Sequence, residues 1–198
     1  MKKIAFLICL PILSINLVLA QTIESRIRDF AKQEYPNDYE MQKYIYDEQL
    51  SAYRYMISVT DKEVKQIAIR EYPNDYAMQK YIYDEQLAAK RYSTTFDDSD
   101  VKRIAEREYP NDHSMQKYIY DNQLSAKRYM RSVEDAEVKR IALREYSNDY
   151  EMQKYIYDEQ LSAKNYMRSV SNEEAKSKAL REYPNDYSMQ KYIYDNSF

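Results

Sequence analysis

The sequence predicts an all-α protein, a right-stacked solenoid of helical hairpins built from 37-residue tandem repeats. Three observations carry that reading. The heptapeptide Met-Gln-Lys-Tyr-Ile-Tyr-Asp occurs five times unchanged, beginning at Met41, Met78, Met115, Met152 and Met189, always 37 residues apart. Self-similarity at one fixed period of this length is the mark of a repeat architecture. Apolar residues within each unit recur at helical spacing on two segments separated by proline and capping residues. Glycine is absent from all 198 residues, which removes the tight hairpin turns, left-handed helix caps and phosphate-cradling loops that other fold classes use.

Residues 1–20 stand apart from the repeats. Lys2 and Lys3 precede a mostly apolar run, Ile4 to Leu19, and Val18-Leu19-Ala20 presents a cleavage pattern, so residues 1–20 read as a signal peptide. The chain is therefore expected to be exported, to a periplasm or to the outside, with no stable membrane span once the signal is removed. Cys9 is the only cysteine and lies inside that segment. Residues 21–198 then form one helical-repeat domain without disulfide, thiol nucleophile or thiolate metal site. Removing Lys2 and Lys3 leaves 28 basic against 33 acidic residues, a net charge of −5. That balance argues against a nucleic-acid partner and against a basic face for anionic lipid.

The repeats fall at about 23–59, 60–96, 97–133, 134–170 and 171–198, the last lacking the second half of its second helix. In the unit from Thr60 to Phe96, Thr60 and Glu63 make a capping box, which Ser171 and Glu174 repeat and Asp97 with Asp100 echoes more weakly. Val64, Ile67 and Ala68 mark the apolar face of a short helix A, where Ile27, Phe30 and Ala31 stand in the first unit. Asp61 to Lys65 and Asp135 to Lys139 add acid-first i,i+4 pairs. Tyr72-Pro73 ends helix A, because a residue before proline is driven from the α region. Asn74 or Asp75 caps helix B, which carries the heptapeptide and runs to about Tyr92.

Helix B of the first unit, Tyr39 to Met56, shows two apolar stripes. Met41, Ile45, Ala52 and Met56 form one, flanked by Tyr44 and Tyr55. Tyr39, Tyr46 and Leu50 form the other, with Lys43, Asp47 and Arg54 between. A helix apolar over most of its circumference is packed on two sides, as a stacked hairpin requires. An alternative arises at Ser132 to Glu137, which holds no strong breaker, so helix B could run straight into the next helix A. Phe96-Asp97-Asp98-Ser99-Asp100 opposes this in the second linker.

The period and hairpin pattern resemble tetratricopeptide and Sel1-like repeats in architecture only, since those rely on glycines that this chain lacks. The segment Tyr-Pro-Asn-Asp-Tyr-x-Met-Gln-Lys-Tyr followed by a glutamine, as at Tyr35 to Tyr44 with Gln49, resembles short helical segments of uncharacterised bacterial proteins. It covers about half of each unit. Ser147 in place of proline and His113 in place of tyrosine depart from the pattern. The resemblance implies a bacterial origin and no particular activity.

Chemistry is sparse. His113, the sole histidine, stands where Tyr39, Tyr76, Tyr150 and Tyr187 stand in other units, which reads as an aromatic exchange at a helix start. One histidine and no exported cysteine cannot assemble a usual zinc site, and no cofactor or metal is called for. Acid pairs such as Asp47-Glu48, Asp84-Glu85 and Asp158-Glu159 diverge by about 100° on a helix and cannot converge on one bond. No enzymatic activity is expected. The recurrent glutamines, Gln42 and Gln49 and their equivalents, read either as interhelical hydrogen bonds that fix stacking register or as an amide ladder along a groove.

Tyrosine, 24 in all, carries the functional hint, since it offers large contact area, little rotamer entropy and a polar tip. The Met41-side tyrosines are expected in the stack and the Tyr39 and Tyr46 side on an exposed groove. The candidate binding surface is therefore Tyr39, Lys43 and Tyr46, with Tyr76, Lys80 and Tyr83, Lys117 and Tyr120, and Tyr150, Lys154 and Tyr157. The function expected is a non-enzymatic binding or scaffold module with a protein or peptide partner. The alternative is a tyrosine-rich structural protein of the envelope or matrix that self-associates through open stack ends.

Overall fold

The computed structural model describes residues 23–197, which are all helical and turn, with no strand among them. The leader expected at residues 1–20 lies outside the described residues. Helix α1 spans 23–34 and is followed by α2 (Tyr39–Ser58), α3 (Lys62–Glu71), α4 (Tyr76–Ser93) and α5 (Ser99–Glu108). Then come α6 (His113–Ser132), α7 (Ala136–Glu145), α8 (Tyr150–Ser169), α9 (Glu173–Glu182) and α10 (Tyr187–Asp195). Helices of 10 residues alternate with helices of 18–20 from α2 to α9, and α10, of the same sequence type as the long ones, has 9.

Short polar side chains, nearly all carboxylates, start these helices. Asp38, Asp75, Asp112, Asp149 and Asp186 each accept from the backbone N–H three residues on, at 3.0 or 3.1 Å, and so open every long helix. Each such cap contributes about 1 kcal/mol. The short helices correct the expected capping box. Asp61, Asp98, Asp135 and Asn172 hold the cap, one residue beyond Thr60, Asp97, Glu134 and Ser171. Asp61 and Asp135 thus serve as caps, not as the acid ends of side-chain pairs with Lys65 and Lys139. Asp75, not Asn74, caps α4, while Asn74 accepts a 3.4 Å hydrogen bond from Arg26.

Helix ends need no glycine, because no described residue has positive φ. Helices α2, α6 and α8 stop at extended residues, Val59 (φ −70°, ψ 146°), Val133 and Val170. The short ones stop at Tyr72, Tyr109, Tyr146 and Tyr183, whose backbone N–H still bonds the carbonyl four residues back. α6 ends at Ser132 and α7 begins at Ala136, so the continuous-helix alternative fails at the linker where it was strongest. Ser147 ends α7 in the same way as the prolines end its counterparts, so the tyrosine cap and its glutamine partner suffice without proline.

The described residues fall into two compact units, one ending at Ala88 and the other starting at Ala89. In the first, Met56 of α2, Val64 and Ala68 of α3 and Tyr83 of α4 form a core, with Tyr55, Val59, Ile82 and Leu87 against it. In the second, each short helix packs on the long helix that follows it, α5 on α6, α7 on α8 and α9 on α10. Consecutive long helices also pack together, α6 on α8 and α8 on α10. Its cores place Val101 and Ala105 with Tyr120, Met130 with Val138, Ala142 and Tyr157, and Met167 with Ala175, Ala179 and Tyr194.

The core is partly polar. Gln42, Gln79, Gln116, Gln153 and Gln190 each donate Nε2 to the carbonyl of the tyrosine that ends the short helix, at 2.5–2.6 Å. Gln49, Gln123 and Gln160 reach across to the next long helix. Their Nε2 donates to its capping Asp75, Asp149 or Asp186, and their Oε1 accepts from the N–H of Tyr76, Tyr150 or Tyr187 at 2.7 Å. One amide thereby satisfies both halves of a helix N-terminus that burial would otherwise leave costly. The glutamines are register-setting hydrogen bonds, the first of the two readings.

Candidate functional site: grooves between consecutive long helices

Winding a long helix with these contacts in place decides which tyrosines meet solvent. Gln79, Tyr83, Gln86 and Ala89 face inward on α4, at spacings of four, three and three residues. The outward face then runs Tyr81, Glu85, Ala88 and Tyr92. Tyr44, Tyr81, Tyr118, Tyr155 and Tyr192 are 58–60 % exposed. These belong to the Met41 side that had been expected in the stack.

The opposite correction holds for Tyr83, Tyr120 and Tyr157. They are 3 % exposed and do not line an open groove. Each ring fills a core, and its hydroxyl accepts from the backbone at the start of the preceding short helix. Tyr83 takes Asp61 N–H at 3.4 Å, and Tyr157 takes Asp135 N–H at 3.2 Å. Tyr120 takes both Asp97 and Asp98 N–H at 3.1 Å and donates to the Asp97 carboxylate at 2.9 Å, while stacking on Phe96 with centroids 3.6 Å apart.

Of the other candidates, Tyr39, Lys43 and Tyr46 line one open pocket of about 360 Å3 together with Arg28 and Asp47. Tyr39 is 82 % exposed, while Tyr46 is half-buried with Arg28 over its ring at 5.8 Å. Tyr76 is half-buried edge-on to Tyr53, and Tyr150 lies beneath the Lys127 ammonium at 4.9 Å. Lys43 pairs with Asp47 at 2.8 Å on the open surface. Lys80 and Lys154 do line grooves, and Lys80, Lys117 and Lys154 are each held in a repeated three-group cluster.

That cluster joins two consecutive long helices. Lys80 pairs with Asp84 at 2.8 Å, Asp84 accepts the Tyr55 hydroxyl, and the Lys80 ammonium lies 4.9 Å from the Tyr55 ring centre. Lys117, Asp121 and Tyr92 repeat it, as do Lys154, Asp158 and Tyr129, and Lys191, Asp195 and Tyr166. Burial works against the Asp84 carboxylate, but Lys80 and Tyr55 outweigh it and hold its pKa below the ordinary value. The Asp158 carboxylate accepting from Tyr129 pushes that phenol up to about 12.

Beside two of these clusters, those of Lys80 and Lys154, lies an open groove. One, of about 510 Å3, has Ser51 and Ala52 of α2 on one side and Ala77, Lys80, Tyr81 and Asp84 of α4 on the other, with Glu48 and Glu85 at its rim. The second, of about 490 Å3, uses the corresponding Ser125 and Ala126 of α6 with Lys154, Tyr155 and Asp158 of α8. Its carboxylates are Glu151 and Glu159, and Asn122 stands where Glu48 stands in the first. Both volumes fall within the range of ligand-sized clefts. Small side chains at Ala52 and Ala126 keep the floor low, and the exposed tyrosine makes one wall.

No group in either groove is arranged as a nucleophile with a base and an orienting partner. His113 is buried at the start of α6 with Nδ1 3.3 Å from Gln116 Oε1. Among the described residues no cluster of histidine, cysteine or acid side chains could hold a metal ion, and no helix is long and apolar enough to cross a membrane. Compared with protein families, with curated proteins and with solved structures, the chain matches none.

Proposed function

We propose that this chain is an exported solenoid of 37-residue helical hairpins that acts as a non-enzymatic binding or scaffold module for a protein or peptide. The carrying observation is the recurrence of one groove at equivalent positions in both compact units, each walled by an exposed tyrosine, Tyr81 or Tyr155. Recurrence of the same site suits a partner that presents the same kind of side chain more than once. Tyrosine supplies contact area at low entropic cost. The binding surface assigned by this reading is the outward face, with Tyr44, Tyr81, Tyr118, Tyr155 and Tyr192, and not the buried Tyr83 class.

Affinity capture from an envelope and culture extract, using the chain without residues 1–20 as bait, tests the reading. A stoichiometric partner that the Tyr81→Ala/Tyr155→Ala variant no longer retains supports it. Retention unaffected by that double variant overturns the groove assignment. Recovery of the bait alone in large assemblies, seen by light scattering, replaces it with a self-associating structural role.

A further inference from the structure

Both grooves carry surplus negative charge in a defined place. In the first, Lys80 and Asp84 neutralise each other, which leaves Glu48 and Glu85. In the second, Lys154 and Asp158 cancel likewise, leaving Glu151 and Glu159. None of these four glutamates has an ion pair or hydrogen bond among the described residues. The two grooves differ at the acidic positions: Glu48 becomes Asn122, and Ala77 becomes Glu151. The losses and gains compensate, so each groove keeps two uncompensated carboxylates although their positions move. Burial, with the Asp149 and Glu108 carboxylates, raises the Glu151 carboxyl above its ordinary value, as expected of an acid lacking a counter-charge.

The protein itself displays what such a pairing accepts. At four junctions a lysine ammonium lies between a carboxylate and a tyrosine face, 4.5–4.9 Å from the ring centre. On the outward face Tyr81 and Glu85, and again Tyr155 and Glu159, lie one helical turn apart and therefore side by side. They offer the same two components, a π face and a carboxylate. A cation over a tyrosine ring with an acid beside it combines cation–π attraction with a charge-assisted hydrogen bond.

We infer that each groove receives a lysine or arginine side chain of an extended basic polypeptide, the ammonium or guanidinium lying over Tyr81 or Tyr155 and bonded to Glu85 or Glu159. This rests on the binding-module reading and names the partner's chemistry. The recurring grooves make a partner with repeated cationic side chains the best fit.

The test measures binding of arginine and lysine hexamers to the chain without residues 1–20 by calorimetry at low and at about 150 mM salt, with a glutamate hexamer as control. Both basic peptides bind and the glutamate peptide does not. Glu85→Gln/Glu159→Gln weakens binding by about 5- to 25-fold, taking up to about fivefold per exposed charge pair. Tyr81→Phe/Tyr155→Phe retains affinity and Tyr81→Ala/Tyr155→Ala loses about 5- to 25-fold, taking up to about fivefold per exposed cation–π contact. Glu145→Gln/Glu182→Gln removes the same charge from exposed short-helix positions and leaves binding within about twofold. Absence of binding by either basic peptide, or equal losses in the two glutamate double variants, overturns the inference. If affinity capture yields a partner that the arginine hexamer does not displace, the binding-module reading stands and the cationic-partner inference alone falls.

Discussion

Gln123 provides the sharpest test of how the long helices are registered. It is 2 % exposed, its Nε2 donates to Asp149 Oδ1 at 2.9 Å, and its Oε1 accepts from Tyr150 N–H at 2.7 Å. Gln123→Glu keeps the shape and the acceptor but sets a second carboxyl against Asp149. The substituted group avoids like-charge contact by remaining protonated, and then donates to Asp149 as the amide did. Keeping a glutamic acid of ordinary pKa, about 4.3, protonated at pH 7 costs about 2.7 pH units, or roughly 3.7 kcal/mol. That is an upper bound on the electrostatic deficit at pH 7, and it shrinks to about 1 kcal/mol at pH 5. Gln123→Leu lacks both bonds at every pH and loses about 2–4 kcal/mol with no such recovery. Urea denaturation followed by circular dichroism at pH 7 and pH 5, referred to the unsubstituted chain at each pH, reads the difference. A Gln123→Glu variant as stable as the parent at pH 7, or a deficit that does not shrink on acidification, refutes the amide-to-carboxylate bond.

Other expectations follow from the same geometry. Tyr157→Phe retains the core ring but not the hydroxyl that accepts from Asp135 N–H, so it loses about 1 kcal/mol, whereas Tyr157→Ala loses about 3–5 kcal/mol; equal losses in denaturant would contradict the assignment. Tyr81→Ala, on the outward face, changes stability by less than about 0.5 kcal/mol by the same measurement, and a core-sized loss would place Tyr81 inside instead. For Asp135, the hydrogen bond from Lys164 comes first among the causes that lower its pKa below 3.8, and burial opposes it. A depressed carboxylate contributes fully above its unfolded value and loses that contribution as pH falls through the folded one. Stability therefore drops below about pH 4, and Asp135→Asn flattens that acid limb in pH-dependent unfolding. The Tyr129 phenol, raised to about 12, titrates above the ordinary tyrosine range in ultraviolet difference spectra; its contribution is complete below pH 10 and is lost as pH rises through about 12, and Asp158→Asn returns it toward 10.

The helices and their order were legible in the sequence because local signals coincide: an acid or asparagine before the capped helices, a tyrosine followed by proline (serine after α7) at the end of each short one, and apolar spacing on Val64, Ile67 and Ala68. The shift of the short-helix caps from Thr60 to Asp61 is the ordinary ambiguity between adjacent residues that can both cap. The inward face of the long helices was misread for a definite reason. Its stripe is Gln42, Tyr46, Gln49, Ala52 and Met56, and a search for apolar periodicity discards the two glutamines. Without them, Tyr46 and its equivalents appear detached from the core and Tyr44 appears to belong to it.

Sequence alone thus determined what chain-local physics determines: all-helical class, hairpin punctuation and the 37-residue recurrence of side chains. Tertiary structure decided which of two tyrosines, two residues apart on the same turn, is core and which is surface. That choice depends on a buried amide finding Asp75, Asp149 or Asp186 on the neighbouring helix, 26 residues away. A long-range hydrogen bond of that kind rewards a polar residue for being inside, and only the packed neighbour reveals that the reward exists.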